Sequence, residues 1–209
     1  MRKKALLLDL DNTIFPVPQI GHRLFAPLFE LIEQEDIPTH ELNKIKDEVM
    51  RRPFQLVAKE HHFSEDLTTK CIEVLKEISY NDPIEPYEDY VHIQRLSHDK
   101  FLVTTGFRKM QQSKVDQLGL ARDFKEVHII DPTTTKQLKK DVFAEILHRH
   151  GYAKEDLLIV GDDLHSEIKA AQELGIDALW YDKEQRYEPV PGVKKIKDYG
   201  ELVRYLTAL

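Results

Sequence analysis

Five short apolar runs recur along the chain: Ala5-Leu6-Leu7-Leu8, Phe101-Leu102-Val103-Thr104, Val127-His128-Ile129-Ile130, Leu157-Leu158-Ile159-Val160, and Ile176 to Tyr181. A run this short with little polar alternation is the pattern of a strand buried on both faces. Such strands belong to parallel sheets covered by helices on each side. The intervals between the later runs carry helical stripes. A polar helix runs to about Leu118 and stops at Gly119. Leu138, Val142, Phe143, Ile146 and Leu147 form a second helix, ended by Gly151, and Leu164, Ile168, Ala171 and Leu174 a third, ended by Gly175. Glycine just past the last periodic residue is a helix stop signal. Tyr199 to Leu209 reads as a closing helix. The expected fold is therefore α/β: a Rossmann-like parallel sheet with helices on both faces.

One interval breaks the alternation. From about residue 20 to residue 80 the chain reads as helices alone, with stripes at Leu24, Leu28 and Leu31, at Leu42, Ile45 and Val49, and at Leu67, Cys71, Val74, Leu75 and Ile78. Breaks fall at Pro38-Thr39, Arg51-Arg52-Pro53 and Asn81-Asp82-Pro83, where proline punctuates. Because Ala5 to Leu8 has the same character as the later strands, this bundle reads as an insertion. The boundaries expected are 1–13 and 87–209 for an α/β core and 14–86 for a helical cap. Cys71 lies on an apolar stripe and reads as a core thiol.

Of the 209 residues, 41% are apolar, enough for a real core, and the net charge of −7 argues against a nucleic-acid partner. No run approaches the roughly 18 apolar residues of a membrane span, and Asp9 and Asp11 interrupt the apolar stretch after Met1-Arg2-Lys3-Lys4 too early for a secretory signal. A single cysteine cannot form an internal disulfide, so cytoplasm is the expected setting.

Three of the apolar runs end in polar groups: Asp9-Leu10-Asp11-Asn12-Thr13, Thr104-Thr105-Gly106, and Gly161-Asp162-Asp163. Residues two apart on a strand face the same way, so Asp9 and Asp11 can converge, and two acids that close repel unless a cation or proton lies between them. Mg²⁺ suits such oxygens and tolerates phosphate in its shell, and an aspartate can serve as a nucleophile. The plainer alternative is that Asp11-Asn12 forms a turn and Asp162-Asp163 caps a helix. Lys136, near the start of a helix, adds an ammonium close to amides that favour anions. Ligands of α/β sheets bind at the carboxyl ends of strands, which gathers all four groups on one edge.

Asp9-x-Asp11-x-Thr13, Thr104, Lys136 and Gly161-Asp162-Asp163 followed by Glu167 resemble the four ordered motifs of the haloacid dehalogenase-like hydrolase superfamily, and residues 14 to about 86 match the position of its helical cap. The resemblance covers nearly the whole chain. Thr105-Gly106-Phe107 leading to Gln111, Gln112 and Leu118-Gly119-Leu120 is similar to stretches in its phosphatase members. The resemblance implies a Mg²⁺-dependent phosphate monoester hydrolase. Asp9 would form an aspartyl-phosphate and Asp11 would act as general acid and then base. Mg²⁺ would be held by Asp9, Asp162 and the Asp11 carbonyl. Thr104, Thr105 and Lys136 would hold phosphoryl oxygens, with Asp163 and Glu167 acting from behind them. Dehalogenation needs no acid at position 11, so Asp11 favours a phosphate leaving group.

Two positions depart from the pattern. Glu167 stands where Asp is common, and Lys136 precedes Gln137 instead of proline, with Lys139 and Lys140 close behind. Lys136 is the expected phosphate lysine, because the other two read as lying inside the helix. The implied substrate is a small phosphorylated metabolite, a sugar phosphate or a nucleoside monophosphate. A phosphomutase, or a binding or regulatory protein on the same fold, are the alternatives. Arg51 and Arg52 are the candidates for substrate choice. His61-His62 and His148/His150 lack the spacing of a zinc pair and read as surface residues, and Trp180 reads as packing.

Overall fold

The computed structural model describes residues 3–208. Met1 and Arg2, where the reading of the amino terminus begins, and Leu209, the expected end of the closing helix, lie outside them. Six parallel strands form one sheet: β1 (Ala5–Leu8), β2 (Asp99–Thr105), β3 (Glu126–Ile130), β4 (Leu157–Gly161), β5 (Asp177–Tyr181) and β6 (Lys195–Ile196), in the order β3-β2-β1-β4-β5-β6. This is the doubly wound order, which reverses direction at its centre and leaves a crevice there. The two-residue β6 lies beyond the five runs legible in the sequence, since it is too short to show a period.

The apolar runs are continuous because the sheet is covered twice. Leu6, Leu8, Leu102, Leu158 and Val160 join one buried cluster, whereas Ala5, Leu7, Phe101, Val103, Leu157 and Ile159 join a second on the opposite face. Successive strand residues point to alternate faces, so each of these apolar residues is taken up by one core or the other. Full burial of each such side chain contributes about 1.5–3 kcal/mol.

Among the described residues, ten α-helices surround the sheet. Between β1 and β2 come α1 (Gly21–Leu24), α2 (Ala26–Ile32), α3 (Thr39–Val49), α4 (Phe54–Glu60), α5 (Glu65–Glu77) and α6 (Val91–Gln94). The α5 start is fixed by Ser64, whose hydroxyl accepts from the Leu67 amide at 3.1 Å, an N-cap bond. The later helices are α7 (Arg108–Gln117), α8 (Lys139–His150), α9 (Lys169–Leu174) and α10 (Tyr199–Thr207). Helix α8 places Val142, Phe143 and Ile146 in the second cluster, and α10 places Tyr199 and Leu202 in the first. Cys71 is buried on α5, and burial pushes its thiol up to about 11. Among the described residues, no helix is long and apolar enough to cross a membrane.

Register decides which residues reach the crevice. Leu8 lies level with Leu102 of β2 and Val160 of β4, and the Asp9 amide donates to the Val160 carbonyl at 3.0 Å. Asp9 and Asp162, just past β1 and β4, and Thr104, next to last in β2, therefore lie at one edge of the sheet.

Candidate active site

Beyond β1 the chain turns at once. The Leu10 carbonyl accepts from the amides of Ile14 and Phe15 at 2.8 and 2.9 Å, and the Asn12 amide donates to the Phe15 carbonyl at 2.6 Å. Asn12 takes φ of 55°, a left-handed conformation that Asn tolerates better than most residues. This turn brings Asp11 back to the cavity that Asp9 lines.

Each of the two aspartates has its own lysine. Lys139 Nζ donates to Asp9 Oδ1 at 2.5 Å and also to Glu167 Oε1. Lys114 Nζ donates to both carboxylate oxygens of Asp11 at 2.7 Å, and Gln111 Nε2 donates to Asp11 Oδ2 at 3.0 Å and Thr104 Oγ1 at 2.5 Å. Both lysines are buried. Burial draws the Lys139 ammonium towards its neutral form, but Asp9 and Glu167 outweigh that effect and leave its proton affinity above normal.

The acids are perturbed in the opposite sense. Burial raises Asp9 to about 7, against the opposing pull of Lys139, with Glu167 and Asp11 adding to the rise. Burial, followed by Glu167 and Asp9, holds Asp162 well above the ordinary carboxylate range. Oxygens of Asp9, Asp162 and Glu167 all lie within 4.8 Å of one another. Once ionised, three converging carboxylates facing one ammonium leave an excess of negative charge, and an all-oxygen donor set suits a hard divalent cation such as Mg²⁺. The residues present fit that group.

The β4 end is shaped for close approach. A Cβ on Gly161 would lie 2.4 Å from Glu167 Cγ and 2.7 Å from its Cβ. Glu167 belongs to a π-helical turn, Leu164–Ile168, of the kind that often marks functional sites. It accepts from the Asp163 amide at 3.1 Å while holding Lys139, so one side chain ties β4's loop to α8. Trp180 Nε1 donates to the Asp162 carbonyl at 2.8 Å, which fixes that loop from β5.

A family model described as haloacid dehalogenase-like hydrolase matches residues 6–181. The chain belongs to that family. It is 26% identical over 208 residues to the HAD-hydrolase YfnB of Bacillus subtilis, covering 88% of this chain and 86% of YfnB. It is 25% identical over 195 residues to a glyceraldehyde 3-phosphate phosphatase of Methanopyrus kandleri, covering 83% and 81%. A match to the pyrimidine 5'-nucleotidase PynA of Streptococcus pneumoniae, 31% identical, spans 86 residues and 40% of this chain, 36% of PynA. The crystal structure of YfnB bound to magnesium superposes with a TM-score of 0.67 at 22% identity over 99% of each chain.

Within this haloacid dehalogenase-like hydrolase the expected residues fall as follows. Asp9, Asp11, Thr104, Thr105, Asp162, Asp163 and Glu167 line one cavity. Lys136 does not: it is exposed and lies in the loop before α8, and Lys139 takes the place beside Asp9. The correction has a simple cause. Lys139 is the first residue of α8, and helical side chains lean towards the amino terminus, so it reaches back over the strand ends. Arg51 and Arg52 also line the cavity. Arg52 donates to Glu60 at 2.8 and 2.6 Å, whereas Arg51 Nε is 3.4 Å from Asp47 and its Nη2 is 3.8 Å from Glu184, beyond β5.

Lys114 was not singled out from the sequence. A signal was there: Met110, Gln111, Lys114 and Val115 form the buried stripe of α7, and a lysine on an apolar stripe needs a partner. His61 also departs from the surface reading. Its ring lies between Glu41 (3.3 Å) and Glu48 (2.8 Å), joining α3 to the end of α4.

Proposed function

We propose that this hydrolase is a Mg²⁺-dependent phosphate monoesterase that works through an aspartyl-phosphate. The observation that carries the reading is the separate pairing of Asp9 and Asp11, each with its own buried lysine, in the lining of one cavity. The names of the Methanopyrus and Streptococcus relatives, both enzymes of phosphate esters, support it. In this reading an Asp9 oxygen attacks phosphorus and the bond to the leaving oxygen breaks. Asp11 gives that oxygen a proton and later takes one from the water that releases phosphate. Thr104, Thr105 and Lys139 hold the phosphoryl oxygens, with Glu167 and Asp163 keeping Lys139 and the β4 loop in position. Mg²⁺, held by Asp9, Asp162 and the Asp11 carbonyl, would offset the charge of the phosphoryl group.

Residues 14–86 act in this proposal as a cap over the strand ends, with Arg51 and Arg52 at its rim as candidates for substrate choice. Substrates are small phosphorylated metabolites, and sugar phosphates and nucleoside monophosphates are the first classes to screen. A cytoplasmic setting completes the proposal, on the ground of the single cysteine. The test is phosphate release from a panel of monoesters, with Mg²⁺ and then with a chelator. Asp9→Asn keeps the shape of the site and should lower turnover at least about 10⁴-fold, the scale seen when a nucleophile is removed. Retention of a tenth of wild-type turnover, or full activity in chelator, would overturn the reading.

A further inference from the structure

Lysine carries three N–H donors, and the Lys114 side chain is only 2% exposed. Among the described residues its hydrogen-bond partner is Asp11 alone, through both carboxylate oxygens at 2.7 Å. A buried ammonium is costly unless its surroundings meet its charge. The ring of Tyr80 supplies the rest. Lys114 Nζ lies over that ring, 5.8 Å from its centroid and inside the roughly 6 Å reach of a cation–π contact.

Tyr80 stands where the chain returns from α5, and it touches both sides of the Asp11–Lys114 pair. Its ring meets Phe15 edge-on, with centroids 5.7 Å apart and planes at 89°. Phe15 closes the turn that carries Asp11: it is bridged to Asp11, and its carbonyl accepts from the Asn12 amide at 2.6 Å. On the other side the Tyr80 amide donates to Ser113 Oγ at 2.7 Å, and Ser113 directly precedes Lys114 on α7. Ser113 Oγ gives its own proton to the Met110 carbonyl at 2.8 Å, which leaves its lone pairs for Tyr80. The Tyr80 hydroxyl takes no part. It is buried and, among the described residues, makes no hydrogen bond. A buried hydroxyl without a partner destabilises a fold, so what this position uses is the ring.

We infer that Tyr80 is a positioning residue for Asp11, acting through Lys114: its ring face completes the surroundings of the ammonium and so fixes the carboxyl that protonates the leaving oxygen. The stretch between β1 and β2 thereby helps to aim the acid. This rests on the phosphatase reading and deepens it. The benefit reaches the reaction only as proton transfer, so it matters most for leaving groups that need a proton.

A graded series of variants tests this in the full chain with Mg²⁺. Tyr80→Leu removes the ring face, and Tyr80→Phe keeps it without the hydroxyl. Progressively fluorinated phenylalanines at position 80 keep the shape while weakening the ring quadrupole on which the contact depends. Turnover of an alkyl phosphate should fall about 10-fold in Tyr80→Leu, a fraction of the roughly 10²–10⁴-fold worth of general acid–base help. Tyr80→Phe should restore most of it, and each added fluorine should lower it again. KM should hold, because the acid meets the leaving oxygen only in the transition state, and an aryl phosphate should lose less than the alkyl ester. Turnover that ignores fluorination, or equal losses on both esters, overturns the assignment. If the wild-type protein releases phosphate from no monoester, the phosphatase reading fails and stability tests the placement by itself. Denaturant midpoints should fall along the fluorinated series and stay level in the same series built on Lys114→Met, the non-additivity of groups in contact. Midpoints that fall equally on both backgrounds, or on neither, overturn it.

Discussion

At the residue scale the two lysines divide the labour of two aspartates that would otherwise compete for one cation. Lys114 and Gln111 clamp Asp11 from α7, so its carboxyl is positioned without drawing on Lys139. Asp11→Asn should leave metal binding intact, because only the backbone carbonyl of that residue is asked to touch the ion. Turnover should fall about 10²–10⁴-fold, the usual worth of general acid–base help. The loss in the phosphoryl-transfer step should be smaller for an aryl phosphate than for an alkyl phosphate, since a good leaving group needs less protonation; single-turnover kinetics on both would read this. The two candidate lysines make a sharper pair. Lys139→Met strands Asp9 and Glu167 without their shared ammonium, and breaking a buried pair in this way costs about 3–5 kcal/mol. Lys136→Ala, on the exposed loop, should change stability by less than about 0.5 kcal/mol and leave activity untouched. Denaturant midpoints and phosphate release on the two variants decide between them.

At the element scale, short runs betrayed the sheet but not the turns that aim its side chains. Ala5–Leu8 and Leu157–Gly161 announce themselves because each is buried on both sides, and that requirement erases polar alternation. The acids after them were legible for the same reason: Asp9 and Asp162 follow directly on runs that cannot extend into solvent. Lys139 was set aside in favour of Lys136 because it reads as lying inside the helix; it does lie there, but as the first residue of α8 it leans back over the strand ends to Asp9. The π turn Leu164–Ile168 has no periodic signature, since a single wide turn contributes no repeat. Its dependence on Gly161 can be tested. Gly161→Ala forces a methyl against the Glu167 side chain, and overpacking of this kind costs about 1–3 kcal/mol. Because Glu167 holds Lys139, the variant should lose activity beyond what its thermal midpoint explains. A folded Gly161→Ala protein with unchanged turnover would remove Gly161 from that role.

At the scale of the whole molecule, the crowding of acids at the crevice couples stability to pH and to metal. The free protein holds Asp9 protonated up to about 7, whereas the unfolded chain releases that proton near the ordinary carboxylate value. Between those two values the folded state binds more protons than the unfolded one, so stability falls as pH rises from about 4 to about 7 and then levels. A divalent cation takes the proton's place, and its binding strengthens as protons leave. Mg²⁺ should therefore raise the thermal midpoint more at pH 8 than at pH 5, and an equal rise at both would contradict the placement of the ion among these acids. The topology has a different consequence, one that concerns how the chain finds its shape. In the finished sheet β1 lies between β2 and β4, so Ala5 meets Asp99 and Leu157. During synthesis β1 waits for both neighbours while the helices between β1 and β2 are made, and the second neighbour emerges later still. Non-local pairings of this kind slow folding, and an apolar strand left waiting invites aggregation. Asp9 and Asp11, which follow that strand's carboxyl end directly, serve from the first moments as charged gatekeepers of an unpaired edge.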